Sequence, residues 1–185
     1  MRYIAGFILI ALACGCQNLT GAFTSLKPDY KEVSEQALRE VAREIEQAVA
    51  ENNREIRLQN RDGVVVDTEP IIQAVRTRAA RHELLSAFLD TGFAWERKNG
   101  LVYILTGREY KKAGTSHDRD RNALIVDGEC QNRWTIYEGI LKASNYSPRA
   151  LPAIQRIFFE ERLKYMRPGQ KYETDDGKIG IIGNK

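Results

Sequence analysis

The chain has 185 residues, of which 43% are hydrophobic and 29% charged, and its 28 Lys and Arg stand against 25 Asp and Glu. These figures fit one modest folded domain and exclude wholesale disorder and a low-complexity or collagen-like chain. The formal charge is only +3 and the basic residues are interleaved with acidic ones. Proteins that bind nucleic acids usually concentrate positive charge, so we expect no nucleic-acid partner.

The N-terminal residues are typical of a targeting signal. Arg2 gives a short positive region, and residues 4–13 form an almost purely apolar run. Such a run is too short to span a membrane, which takes about 20 residues, and it fits a cleaved secretory signal. Small residues precede both Cys14 and Cys16, an arrangement that resembles the lipobox of bacterial lipoproteins, whose cysteine is acylated. We therefore predict a lipoprotein signal peptide over residues 1–15.

Cys16 is the favoured site of lipidation, and Cys14 is the alternative. Gly15 precedes Cys16 and a polar stretch follows it, whereas lipidation of Cys14 would leave a second cysteine in the tether. A cleaved signal with two incidental cysteines is the third interpretation. Several acyl chains on one cysteine would hold the protein firmly on a membrane. Neither cysteine is followed by Asp, the residue that retains lipoproteins in the inner membrane, so we expect an outer-membrane anchor and a domain that faces the periplasm.

The rest of the chain divides into a tether over residues 16–30 and a single domain over residues 31–185. Helical periodicity predicts four helices in that domain. They run from Tyr30 to Asn53, from Thr68-Pro70 to Gly92, from about Asp118 to Ser144, and from Ser147-Pro148 to before Pro168-Gly169. The third helix carries Cys130, interpreted as a small buried hydrophobic residue in its apolar stripe.

Turn residues between short β-prone stretches predict three hairpins. These cover residues 56–66, residues 93–105 around Asn99-Gly100, and residues 171–182. The polar and basic stretch from Tyr110 to Ser116 predicts a loop. The predicted fold class is therefore mainly α, a small helical domain of about four helices with short β-hairpins as a minor component.

The usual catalytic and metal-binding motifs are absent from the sequence. It contains no HExxH, Gly-x-Ser-x-Gly, phosphate-binding glycine loop or dinucleotide fingerprint. His82 and His117 lie in unrelated contexts, and no second His or Cys stands at ligand spacing beside His82. We therefore predict a protein that is not an enzyme, with no catalytic residue, no metal site and no cofactor.

Charged residues on apolar helix faces predict a structural polar cluster. Arg78 shares the apolar face of its helix, and Glu129 lies one turn before Arg133, the favourable order for a helical ion pair. A buried arginine needs a carboxylate partner, because an uncompensated buried charge costs about 3–5 kcal/mol. We expect Arg78, Glu96, Glu129 and Arg133 to form this cluster. In the alternative, Glu96 and Glu129 are the acid pair of a glycan-cleaving enzyme.

A series of short motifs follows in order between Ile72 and Lys178. They are Arg76, Arg78 and Arg81; Gly92 and Glu96; Gly100-Leu101; residues 123–126; Glu129, Arg133 and Tyr137; residues 169–172; and Gly177-Lys178. This order resembles the YdbL-like family, small bacterial envelope proteins with a domain of unknown function. The chain departs from that family at Cys130, where members often carry Asn, and at Ile179-Gly180, where they often carry Trp. The first helix and the lipid anchor lie outside the resemblance.

The resemblance implies an accessory or chaperone-like role beside AsmA-like proteins, which bridge two membranes in lipid transport. The partner would then be another envelope protein, bound through exposed Tyr, Trp and Arg, which are enriched at interface hot spots. The candidates for these contacts are Trp95, Tyr103 and Tyr172, with core packing as the alternative for each. Two other functions stay open: a peptidoglycan-binding or glycan-cleaving cell-wall lipoprotein, and a lipoprotein that only spaces the envelope.

Overall fold

The structure is a computed structural model that describes residue 31 and residues 33–183. The predicted signal peptide and the whole of the predicted tether, with Cys14 and Cys16, lie outside these residues. Within the described part, the helices are α1 Glu35–Ala50, α2 Glu69–Asp90, α3 Arg108–Lys112, α4 Ser116–Ala143 and α5 Leu151–Leu163. The strands are β1 Ala94–Glu96, β2 Val102–Ile104, β3 Lys171–Glu173 and β4 Ile179–Ile181. The predicted fold class, mainly α with a minor β component, is confirmed.

Helix α1 is shorter than the predicted helix over Tyr30–Asn53, because capping residues end it on both sides. Ser34 adopts an extended backbone, and its side chain accepts a hydrogen bond from the Ala37 N–H. At the other end Asn52 takes a positive φ of 55°, and the Asn53 N–H donates to the Ala48 carbonyl at 2.8 Å. The apolar stripe between the caps is buried as predicted.

Helices α2 and α4 lie antiparallel and in close contact. Gly139 on α4 makes the approach possible, because a Cβ there would lie 2.7 Å from the Ile71 side chain. A Cβ on Gly128 would lie 2.8 Å from the Arg81 guanidinium, which is the end of a long side chain and can move aside. Helix α4 begins at Ser116, two residues before the predicted start, because Thr115 and Asp118 form a capping box. A 3-10 turn, Pro148–Ala150, leads into α5 at the predicted helix-start signal.

The prediction of a hairpin over residues 56–66 is wrong. One isolated bridge joins Arg61 to Val64, and no strand forms there. Side chains bind the backbone donors that a second strand would otherwise use: Asn60 accepts from the Val66 N–H at 2.8 Å, and Ser144 accepts from the Val65 N–H at 2.9 Å. The segment instead packs its alternating apolar side chains onto the helices.

The prediction of a loop from Tyr110 to Ser116 is also wrong at its start, where the short helix α3 forms. Tyr110 is buried, and its ring lies 6.0 Å from the Phe88 ring and 5.4 Å from the Phe93 ring, centroid to centroid. The apolar surface of these aromatic rings holds the segment against the body of the protein. Polar neighbours on both sides of Tyr110 concealed this contact in the sequence.

The other two predicted hairpins form, and they join into one four-stranded sheet of order β2-β1-β3-β4. Strands β1 and β3 pair in parallel, Trp95 opposite Lys171, which links the hairpins across the middle of the sheet. The inner face of the sheet carries Ala94 and Glu96 and packs against the helices. The outer face carries Trp95 and its cross-strand partner Tyr103.

The core consists of two apolar clusters. The first lies among α1, residues 56–66, α5, the N-terminal half of α2 and the C-terminal half of α4. The second lies among α3, β1, β2, the C-terminal half of α2 and the N-terminal half of α4. Charged residues near the middle of α2 and α4 separate the clusters. None of the described helices is both long enough and apolar enough to cross a membrane.

Gly100 forms the turn between β1 and β2 with a φ of +76°, and a Cβ there would lie 2.7 Å from the Tyr137 hydroxyl. We expect Gly100→Ala to lower the free energy of unfolding by about 3 kcal/mol, from left-handed strain and displacement of Tyr137. The matched control is Gly177→Ala, because Gly177 has a φ of +78° but no neighbour within 4 Å. It should cost about 1 kcal/mol. Urea unfolding measures both, and equal losses would contradict the packing of Tyr137 on Gly100.

Candidate functional site

Six charged residues form a closed ring between the two apolar clusters, and we name it the charge ring. Its members alternate in sign around the ring: Glu46, Arg78, Glu129, Arg133, Glu96 and Arg162. Four of them are the residues that the sequence predicts as a polar cluster, and the structure brings all four together. Each member is at most 6% exposed to solvent. With three arginines and three glutamates, the ring has no formal net charge.

Arg78 of α2 connects α1 to α4. Its two Nη atoms donate to both carboxylate oxygens of Glu46, at 3.1 and 2.9 Å, and its Nε donates to Glu129 at 2.9 Å. Such two-pronged pairing fits the planar guanidinium and is stronger than a single hydrogen bond between neutral groups. The three helices are thereby held by one side chain.

Arg133 of α4 connects its own helix to the sheet. Its Nε donates to Glu129, one turn earlier, at 2.7 Å, which is the helical ion pair expected from the sequence. Its Nη atoms donate to both oxygens of Glu96 on β1, at 2.6 and 2.8 Å. The inner face of β1 is therefore fixed to the middle of α4.

Arg162 near the end of α5 closes the ring. It donates to both oxygens of Glu46, at 3.2 and 2.8 Å, and to Glu96 at 3.2 Å. Further donors of the ring arginines reach the Gly100 carbonyl and the Tyr137 hydroxyl, and that hydroxyl donates to the same carbonyl at 2.9 Å. These bonds occupy polar groups that would otherwise be buried without a partner.

The ring keeps its three carboxyl groups ionised. Burial alone would raise the pKa of Glu46, but the opposite charges of Arg162 and Arg78 lower it to about 2. Burial would also raise the pKa values of Glu129 and Glu96. The charges of the neighbouring arginines outweigh this effect and hold both pKa values below their usual range. Each carboxylate faces two arginines, and so each charge that is removed from water is compensated.

Glu46 and Arg162 were not singled out in the sequence, although a signal for each exists. Glu46 directly follows Ile45 in the apolar stripe of α1, and Arg162 lies one turn after Phe158 on the inward face of α5. A charged residue within an apolar stripe is unusual and requires a buried partner. The same argument that identified Arg78 would have identified both.

This geometry gives Glu96 and Glu129 a structural role. A glycosidase needs one carboxylic acid with a raised pKa as proton donor, and both of these carboxyl groups have a lowered pKa. Both are also bound by Arg133 and shielded from solvent. The arrangement therefore favours Glu96 and Glu129 as ionised members of a hydrogen-bonded cluster without net charge, and not as the acid and base of a glycosidase.

The cysteine and histidine side chains of the described part lie in settings that disfavour reactivity. Burial raises the pKa of the Cys130 thiol, which donates to the Val102 carbonyl at 3.5 Å. The residue is half-buried, whereas the sequence predicted that it would be buried. Burial also lowers the pKa of His82, which borders a cavity of about 30 Å³ beside the charge ring. His117 is exposed near the start of α4. Among the described residues, no group of three or more His, Cys, Asp or Glu could hold a metal ion.

The three predicted contact residues do not share one surface. Trp95 and Tyr103 are cross-strand partners on the outer face of the sheet, and Tyr103 is exposed. Tyr172 pairs with Glu96 and so faces the opposite way, and its ring packs close to Gly180. Tyr172 is thus separated from the surface that the other two form.

Removal of Arg78 is expected to destabilise the fold strongly. Arg78→Ala would leave Glu46 and Glu129 each with one arginine in a buried setting, which should lower the free energy of unfolding by about 3–5 kcal/mol. Lys142→Ala removes an exposed ion pair with Glu138 on α4 and is the control, expected to change stability little. Thermal unfolding of both variants measures the difference. An unchanged melting curve for Arg78→Ala would refute the role of the ring.

Acid is expected to weaken the fold through the ring carboxyl groups. Because their pKa values are lower in the folded state than the ordinary 4.5, the unfolded chain binds more protons in this range. The stabilisation is complete above about pH 5 and is lost as the pH falls toward about 2. Unfolding free energies measured over this range should show a shallower slope for Glu46→Gln. Gly177→Ala, also destabilised but with the ring intact, should keep the wild-type slope.

The chain was compared with protein-family models, with curated proteins and with solved structures. No family model matches it, and no curated protein and no solved structure matches it either. The resemblance to the YdbL-like family therefore depends on the residues quoted for it, and the function that it implies is a proposal.

Proposed function

We propose that this protein is a lipid-anchored envelope protein that acts as a non-enzymatic accessory or chaperone-like factor for another envelope protein. In this proposal Cys16, or else Cys14, carries the lipid that holds the protein at the periplasmic side of the bacterial outer membrane. The domain binds its partner through the outer face of the sheet. An AsmA-like protein that bridges the two membranes is the partner that the family resemblance implies.

One observation carries the proposal: the outer face of the sheet exposes a group of large apolar side chains together with an arginine. We name this group the outer-face cluster, and its members are Trp95, Arg97, Tyr103, Ile179 and Ile181. Lys171 and Glu173 of β3 lie on the same face between the aromatic residues and the two isoleucines, so the cluster has an aromatic side and an aliphatic side. Tyr103, Ile179 and Ile181 are 38%, 45% and 61% exposed. An exposed apolar group of this kind is typical of a surface that binds another protein.

The aromatic side of the cluster is already ordered before any partner binds. The Arg97 guanidinium lies 4.5 Å from the centre of the Tyr103 ring and 5.7 Å from that of the Trp95 ring. Arg97 also pairs with Glu173 of β3 at 3.3 Å, which ties the two hairpins together on this face. Trp, Tyr and Arg are the residue types enriched at interface hot spots, and ordered side chains lose little entropy on binding.

The opposite face of the same strands is anchored in the charge ring. Glu96, the neighbour of Trp95 on β1, binds Arg133 and Arg162. A partner that docks on the outer face therefore meets a surface whose backbone is held from behind. This arrangement suits a docking module better than a site that must close around a substrate.

The cell-wall enzyme is the weaker alternative for a specific reason. Its two acids would be Glu96 and Glu129, and both have a lowered pKa within the ring. A release assay on purified peptidoglycan tests this alternative directly, because an enzyme of that class would liberate soluble glycan fragments. Docking without catalysis would liberate none.

The central experiment is crosslinking of the tagged full chain in living cells, followed by detergent solubilisation, pull-down and mass spectrometry. The expected result is a long AsmA-like bridging protein among the specifically crosslinked partners. Glycan strands or wall-bound proteins as the only specific products would contradict the proposal and favour the cell-wall alternative.

Substitutions in the outer-face cluster should separate binding from folding. Tyr103→Ala and Trp95→Ala are expected to remove most of the crosslinked partner, by about tenfold or more, because hot-spot residues contribute at least about 2 kcal/mol each. The matched control is Leu124→Ala, which changes a 72% exposed leucine on α4 away from the sheet. Melting curves of all three variants accompany the crosslinking. A folded Tyr103→Ala variant that retains the partner would refute docking through this face.

A further inference from the structure

The three arginines of the spaced series on α2 do not share one environment in the structure. Arg78 points into the core and belongs to the charge ring. Arg76 and Arg81, on the outer side of the same helix, line a groove of about 530 Å³ together with Arg54 from the segment after α1. The docking proposal uses none of Arg54, Arg76 and Arg81, the three groove arginines, because they lie on α2 and in the segment after α1 rather than on the sheet.

Among the described residues, none is a carboxylate partner of the groove arginines. Within residues 31 and 33–183, no ion pair joins Arg54, Arg76 or Arg81 to an acidic side chain, whereas other arginines of α1, α2 and α5 are paired. The Nε of Arg76 is buried and has no hydrogen-bond partner in the part of the chain that the structure describes. Three guanidinium groups around one groove, none of them in an ion pair with a described residue, leave an excess of charged hydrogen-bond donors that an anionic ligand would complement.

Two of the three guanidinium groups lie beside residues of neighbouring segments. Arg81 lies against Gly128 of α4, where even a Cβ would come within 2.8 Å of its Nη1. The Nε of Arg54 donates to the Asn52 side chain at 3.3 Å, in the turn that ends α1. The polar side chains of Gln73 and Thr77 and the small Ala80 complete the wall of the groove on α2.

We propose that this groove binds a phosphate group, either free or as part of a phospholipid headgroup. The guanidinium fork matches phosphate oxygens with two parallel hydrogen bonds, which a lysine cannot provide. Three arginines and Glu55, the one acidic residue of the lining, give the groove a formal charge of +2. A phosphate monoester carries about −1.5 to −2 at neutral pH and therefore complements this charge.

The first test measures which arginines phosphate protects in the detergent-solubilised full chain. Phenylglyoxal modifies accessible arginines, and mass spectrometry locates the modified residues. Inorganic phosphate, compared with chloride at equal ionic strength, is expected to slow modification of Arg54 and Arg81. Arg108 and Arg149 are the internal controls, because both are exposed and lie outside the groove. Equal slowing at all four residues, or no slowing, would overturn the proposal.

Variants then test the affinity for inorganic phosphate by calorimetry. Arg76→Ala and Arg81→Ala should each weaken binding about tenfold, since each removes charge-assisted hydrogen bonds. Arg108→Ala is the matched control and should bind as the wild type does. Gly128→Ala keeps every arginine but displaces the Arg81 guanidinium, and so it should weaken binding without a fall in melting temperature, because alanine favours a helix. Undiminished affinity in Arg81→Ala and Gly128→Ala would overturn the site.

The source of the phosphate is distinguished with lipid. The full chain is reconstituted into vesicles of phosphatidylcholine alone and into vesicles that also contain phosphatidic acid, and phenylglyoxal modification is repeated. Protection of Arg81 only in vesicles with phosphatidic acid supports a headgroup as the ligand. Protection by inorganic phosphate or glycerol phosphate but not by the vesicles supports a soluble phosphate compound. Failure of all these ligands to protect Arg81 refutes the inference, whatever the crosslinking of the outer-face cluster shows.

Discussion

The charge ring constrains every major element around it. Its six side chains come from α1, α2, α4, α5 and β1, and each arginine spans two glutamates on different parts of the fold. An apolar interface tolerates small sliding, because one methyl group replaces another at little cost. A buried ion pair does not, because a displaced guanidinium leaves a carboxylate uncompensated. The ring therefore fixes the relative positions of four helices and the sheet.

The position of the ring also explains how the two faces of the sheet differ. On the inner side, Glu96 is bound to two arginines and is withdrawn from solvent. On the outer side, Arg97 lies over two aromatic rings and pairs with Glu173 across the junction of the hairpins. Glu96, the last residue of β1, and Arg97, which directly follows the strand, thus serve stability and surface chemistry separately. A change on the outer face need not disturb the ring behind it.

Periodicity and burial chemistry were sufficient to predict four of the five described helices, all except α3, and four ring members. The stripes of α1 and α2 could be recognised because their apolar residues recur at helical spacing, and Arg78 stood out within one of them. The parallel pairing of β1 with β3 could not be predicted, since it joins segments about 75 residues apart. The sequence of a short strand does not indicate which other strand it pairs with. Residues 56–66 show a different limit. Their alternation was real, but Asn60 and Ser144 took the backbone donors that a strand would have used.

The place of Arg162 near the end of the chain has a consequence for the order of assembly. As the chain emerges during synthesis, the other five ring members all precede Arg162: Glu46, Arg78, Glu96, Glu129 and Arg133. Until α5 arrives, Glu46 and Glu96 each have a single arginine, and β1 lacks its parallel neighbour β3. The buried carboxylates of Glu46 and Glu96 therefore lack one of their two arginine partners until α5 is present. Completion of the fold coincides with the arrival of roughly its last fifth, from Leu151 onward, and a chain that is cut short retains exposed charge and an unpaired strand edge.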